Sequence, residues 1–325
     1  MRWLITTILL GLLLATLSLS WRLLRPPQEP LQMVLDPWPS NELLWLAHER
    51  GFFSAEGLEM RVIEMGSSSD ASGAFARGKA DLFVATPAEL ARIAGSTGPQ
   101  PKVVLALNWS AGADVVLARV GVDSLAALKG RTVAYEPDGL TAHLLQRALE
   151  SVRLTWNDIT PVPMTTASMP AAFAAGTVDA LVSYPPWSTS MLQAGRVHAL
   201  FDSRQIPKEI CDLLIVRADI LRQFPDLTAR LTRIWDRTLA LLEIEATWGE
   251  MAKRERFTAD ELRRSLREGI HLIQASEQAA FIAADGPLSK IFPLVSQSLR
   301  LSGSRIDPAD PAACLLPYAP EGKDR

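Results

Sequence analysis

Carboxylates and aromatic rings gathered in short loops are the chemistry this chain offers. Glu136 and Asp138 share one loop, Asp114 ends another, and Asp212 precedes an apolar run. Trp38, Trp109, Tyr184 and Trp187 stand in loops of the same kind. Carboxylates can grip an ammonium group, and aromatic faces attract cations and stack on flat rings. Hydroxyls form a third set. Ser67, Ser68 and Ser69 precede a predicted helix, Thr86 stands before Pro87, and Thr141 opens a further helix. Exposed N–H groups at a helix start favour an anion. Four carboxylates around an anion would oppose its binding unless they were turned away or paired. The balance leans from nitrate or sulfate toward an amine-bearing sulfonate, a primary or quaternary amine, or a pyrimidine.

Each of these residues also has a purely structural reading. Trp38 is a ligand platform or a packing plug for the first helix. Asn41 caps that helix or bonds the ligand. The three serines and Thr86 could simply cap helices, with Thr86 also within reach of a ligand. Asp114 and Asp212 could tie two halves of the molecule together. Trp109 reads more readily as core, Trp187 as a pocket wall, and His143 as a packing or solvent residue that could reach the pocket.

The elements that must position these groups announce themselves by a repeat. The segment 75–87 recurs at 173–185: Gly78 and Asp81 match Gly176 and Asp179, an apolar run follows, and Pro87 matches Pro185. The spacing far exceeds the roughly 20–50-residue period of a solenoid. It suits two similar α/β lobes, each copy being a helix end, a Gly stop, a buried strand and a loop that opens a new helix. Strands are expected at 31–35, 58–65, 103–107, 115–119, 132–135 and 213–216. Helices are expected at 42–50, 142–152, 221–241, 259–273 and 277–284, with an irregular tail from Ser302. Alternating strands and helices imply parallel sheets, with ligands beyond the carboxyl ends of the strands.

Composition narrows the class. The chain has 325 residues, is 48% hydrophobic and carries a formal net charge of −3. That supports one large or two medium domains and gives no electrostatic draw to nucleic acid. Arg2 precedes an apolar stretch from 5 to 19, so residues 1–30 read as a signal peptide cleaved after Ser20, or as an uncleaved anchor, with a proline-rich linker. Only Cys211 and Cys314 could form a disulfide, and two buried thiols are as good a reading. The four histidines lack metal-ligand spacing, so no metal is expected. No P-loop, dinucleotide loop or Ser–His–Asp pattern points to catalysis or to a cofactor.

The ordered segments at 38–39, 46–58, 75–81, 124–130, 176–180 and 214–217 resemble the periplasmic substrate-binding proteins of ABC importers. Within these the likeness is to the nitrate/sulfonate/taurine and thiamine-pyrimidine-precursor branch, over residues 31–245. The resemblance implies an α/β, two-lobe periplasmic-binding-protein fold of type II with two crossover strands and a ligand cleft between the lobes. The lobes would be 31–113 with 214–325, and 114–213, with crossovers near 110–119 and 211–217. It further implies a non-catalytic, exported protein that closes on a small-molecule solute by hinge motion and docks, as a monomer, on an inner-membrane ABC permease. In sulfonate- and nitrate-type relatives a Ser/Thr-rich turn at 136–141 faces the anion. Here Glu136 and Asp138 stand there instead. A sensory binding protein and a pyrimidine-precursor synthase are the competing readings.

Overall fold

The computed structural model describes residues 29–137, 139–255, 257–303 and 311–316. The N-terminal segment read as an export signal or anchor and Asp138 therefore lie outside the described residues, apart from the end of the linker. Two sheets organise the chain. The first has six strands in the order β11-β4-β10-β3-β1-β2: β1 Leu31–Leu35, β2 Met60–Glu64, β3 Leu82–Ala85, β4 Pro101–Ser110, β10 Cys211–Arg217 and β11 Ile270–Leu272. The second has five in the order β7-β6-β8-β5-β9: β5 Val115–Arg119, β6 Thr132–Tyr135, β7 Thr160–Pro163, β8 Ala180–Ser183 and β9 Val197–Asp202. The chain passes between the sheets twice, through 111–114 and through 203–210.

The sheets are mixed rather than all-parallel. β1 pairs in parallel with β2 and β3, while β10 runs antiparallel to β3 and β4. In the second sheet β6 is parallel to β7 and β8, and β5 is antiparallel to β8 and β9. Of the antiparallel members, β5 and β10 are the strands reached by crossing between lobes, and the edge strand β11 is antiparallel to β4. Their reversed direction matters, because the first residues of β5 and β10 return to the edge where the parallel strands end. Asp114 and Asp212 are placed at that edge by this reversal.

The repeat is explained by a backbone pin. Asp81 accepts from the Gln32 N–H at 2.8 Å and Asp179 from the Thr132 N–H at 3.1 Å, so each aspartate clasps the start of the neighbouring parallel strand. Arg217 on β10 pairs with Asp81 at 3.3 Å, and Arg119 on β5 with Asp179 at 3.6 Å. Gly78 and Gly176 turn the preceding helices at φ 68 and 74, a left-handed conformation that glycine adopts without a Cβ clash. The repeated Gly and Asp are therefore structural. The residue before each repeated proline, Thr86 or Tyr184, opens instead toward the space between the lobes.

Apolar clusters cover both faces of both sheets, as expected for strands buried on two sides. Trp235 and Trp248 anchor the cluster that also receives Trp38. Several elements depart from the sequence reading: the strands β7 and β9 are not among those expected, and the helix expected over 221–241 is two helices, Ala218–Gln223 and Leu227–Leu239. The helix expected over 259–273 stops at Glu268, and Ile270–Leu272 forms the edge strand β11 against β4. A helix at Pro287–Leu301, with Pro293 inside it, packs against the helices Pro87–Ala94 and Leu140–Ser151. Cys211 is a buried free thiol, and the two cysteines do not pair with each other. Among the described residues no helix is long and apolar enough to cross a membrane.

Candidate functional site

A small cavity lies where the strand ends of the two lobes meet. It is lined by Asp36, Trp38, Ser68, Val84, Thr86, Asp114, Leu140, Tyr184, Ile210 and Asp212. Its volume is about 20 Å³, room for roughly one water molecule. The lobes are thus drawn together over the site, and anything larger enters only as they part. Trp38, Ser68 and Thr86 belong to loops and helix starts that follow β1, β2 and β3. Leu140 and Tyr184 follow β6 and β8 of the other sheet. One cavity is therefore walled by both lobes, with the crossover residues Asp114 and Ile210 at its back.

Three groups in this wall are buried without a hydrogen-bond partner. Asp114 is 0% exposed and neither carboxylate oxygen is satisfied; the Trp38 indole N–H and the Tyr184 hydroxyl are likewise unmet. An orphaned buried polar group costs about 1–3 kcal/mol, more when charged. Three of them converging on one small space call for a ligand that completes them. Burial pushes Asp114 from an ordinary 3.8 to about 7. The nearby Ser110 hydroxyl works against that shift but is shared with Ser203 Oγ at 2.7 Å, and the charge of Glu89 adds to it. Asp212 is raised as well, first by burial and then by Asp36, Asp114 and Glu89, with only the Asn108 amide at 2.8 Å opposing. Tyr184 is raised by burial, Asp36 and Glu136. Thr166 lies near it but gives its hydroxyl to Glu136 at 2.8 Å.

The cavity is framed by two hydrogen-bonded ties. Asn108 on β4 donates to both Ser40 Oγ and Asp212 Oδ2 at 2.8 Å, fixing the first helix against the return strand. Where the chain crosses between the sheets, Ser203 Oγ also accepts from the Gly112 N–H at 2.7 Å, and the Ser203 N–H donates to the Asp114 carbonyl at 3.0 Å. The two crossing segments are thus stitched to each other beside Asp114.

Of the residues singled out from the sequence, Trp38, Ser68, Thr86, Asp114, Tyr184 and Asp212 come together in the cavity wall. Trp38 also serves the core, edge-on to Tyr184 with ring centroids 5.8 Å apart. Trp187 stands one ring further out, edge-on to Tyr184 at 5.3 Å. The remaining residues are elsewhere. Asn41 donates to the Asp36 carbonyl at 2.9 Å and to Asp36 Oδ1 at 3.2 Å, shaping the first loop. Ser67 caps its helix and donates to Asp70 at 2.9 Å. Thr141 exchanges hydrogen bonds with the Glu136 backbone at 2.8 Å. Glu136 accepts from Ser69 at 2.6 Å across the lobes and from Thr166. Trp109 is stacked on His271 at 3.6 Å and Phe281 at 5.8 Å, away from the cavity. His143, 1% exposed, reaches Ser298 at 2.8 Å and Glu209 at 3.1 Å. Sequence reasoning missed Asp36, Val84, Leu140 and Ile210. Asp36 stood in a loop already singled out, while the three aliphatic residues carried no signal. Among the described residues no group of three His, Cys, Asp or Glu side chains could hold a metal ion.

Comparison with known proteins agrees with this architecture. A family model described as NMT1/THI5 like matches residues 38–242. A protein of Escherichia coli named for aliphatic sulfonate binding is 29% identical over 175 residues, 54% of this chain and 50% of that protein. One of Haemophilus influenzae named for thiamine biosynthesis is 28% identical over 157 residues, 48% of this chain and 50% of that protein. These matches span about half the length of the curated relatives. The alkanesulfonate-binding protein SsuA of Xanthomonas axonopodis pv. citri, solved bound to MOPS, superposes with a TM-score of 0.70 at 19% identity, covering 88% of this chain and 98% of that one. The fold is that of the periplasmic binding proteins.

Proposed function

The chain belongs to the NMT1/THI5-like family, and we propose that it is the extracytoplasmic solute receptor of an ABC importer. It captures a small organic solute between two lobes, closes over it by hinge motion and presents it to a membrane permease. The observation that carries this reading is a cavity walled by both lobes, into which Trp38, Asp114 and Tyr184 bring unpartnered polar atoms. The lobes are 31–113 with the chain from about 214 onward, and 114–213. The hinge is the serine-stitched pair of segments at 111–114 and 203–210. Each lobe carries most of its apolar residues on its own sheet, while Tyr184, Leu140 and Trp187 of one lobe pack against the Trp38 cluster of the other. The protein acts as a monomer without catalysis, and residues 1–30 direct export or hold it at the membrane.

A thermal-shift panel of small solutes on the full-length chain tests this reading. A solute at 100 times its dissociation constant stabilises the folded state by about 2.7 kcal/mol. Trp38→Ala should abolish the shift while leaving a cooperative unfolding transition. Silence across anionic, zwitterionic and cationic solutes would remove the receptor reading.

A further inference from the structure

Resting on the receptor reading, we propose that the cavity is a cation site. It takes a small compound whose protonated nitrogen donates hydrogen bonds to Asp114 and Asp212, and whose neutral acceptor atom meets the Trp38 indole N–H and the Tyr184 hydroxyl. The wall holds Asp36, Asp114 and Asp212 and no lysine, arginine or histidine. A sulfonate or nitrate seated there would face carboxylates with no countercharge, in a dry space where repulsion is poorly screened.

The helix start at Ser68, which borders the cavity, is already neutralised by the protein itself. Ser67 gives its hydroxyl to Asp70 at 2.9 Å, and Ser69 gives its own to Glu136 at 2.6 Å. By contrast Asp114 has both oxygens unused at 0% exposure. Asp212 is engaged through one oxygen by Asn108. Independently of the carboxylates, Trp38 at 6% and Tyr184 at 2% exposure bring unmet donors to the same space. Those two donors require an acceptor on the ligand, so a bare alkylammonium leaves half the wall unsatisfied. A small amino alcohol, with an ammonium group and a neutral hydroxyl oxygen, carries both functions in one compact head. The raised carboxyls agree with this choice, since an arriving cation restores the charged form that burial penalises.

Titration calorimetry of the full-length chain at pH 8 compares three probes: ethanolamine hydrochloride, taurine and sodium methanesulfonate. The expected result is binding of ethanolammonium alone, weakened at least about thirty-fold in Asp114→Asn and in Asp212→Asn, as for other buried charge partners. Asp114→Asn removes a buried charge, so a folded variant is expected, and its unfolding transition is checked alongside. Binding of methanesulfonate or taurine with no response to ethanolammonium would overturn the cation site and leave the receptor reading standing. Binding of ethanolammonium that both variants retain would also overturn it. No heat from any of the three would count against both readings.

Discussion

Replacing Asp114 by asparagine should stabilise the empty protein while destroying its site. Burial lifts the Asp114 carboxyl from 3.8 to about 7. A shift of about three pKa units corresponds to about 4 kcal/mol of preference for the protonated form. The folded state therefore binds more protons than the unfolded state between about pH 4 and 7. Stability from this group is highest below pH 4, falls as pH rises through that window, and stays low above it. Parting of the lobes hydrates the carboxylate and recovers some of the loss, so about 4 kcal/mol is a ceiling. It is also the amount by which an ionised Asp114 opposes closure without ligand, which leaves closure to be driven by the solute. Asparagine carries no such proton linkage, and any packing penalty it introduces is independent of pH. Urea unfolding of both proteins from pH 4 to pH 8 should show the variant gaining on the wild type by 1–4 kcal/mol as pH rises, an order-of-magnitude range. Parallel pH profiles would refute the buried, unpartnered carboxylate on which the argument rests.

Other substitutions test the frame. Asp81→Ala and Asp179→Ala should each cost about 1.5–3 kcal/mol in denaturant unfolding, because each removes a charged acceptor from a strand N–H. The two losses should be similar, reflecting the repeated pin. Gly112→Ala forces a Cβ onto a φ of 120 and within 3.2 Å of Arg204 Nε, so roughly 1–3 kcal/mol of destabilisation is expected at the hinge. Differential scanning calorimetry reads it. His143→Ala empties a buried position between Ser298 and Glu209, and faster amide exchange in the helix Leu140–Ser151 is the expected consequence.

Much of the frame was legible because its signals are local. A glycine stop, an aspartate and an apolar run before proline mark the repeat, and the two residues preceding those prolines, Thr86 and Tyr184, reach the cavity. What was not legible depends on partners distant in sequence. Gly269 ends its helix, but only pairing with β4 makes Ile270–Leu272 a strand, and that strand supplies the His271 on which Trp109 stacks. Pro293 argues locally against the helix Pro287–Leu301, yet packing on two neighbouring helices sustains it. Glu136 and Thr141 sit in the right loop, but the Thr141 hydroxyl is consumed by the Glu136 backbone and the Glu136 carboxylate by Ser69 and Thr166. Leu140 and Ile210 enter the cavity wall as ordinary aliphatic residues, a role that no residue type advertises.

Small-angle X-ray scattering of the full-length chain, with and without the solute that gives the largest thermal shift, tests the two-lobe receptor most directly. Closure over a solute in the cavity predicts a smaller radius of gyration at saturation, and no change in a Trp38→Ala variant. An unchanged radius at saturating solute in the wild type would contradict the account.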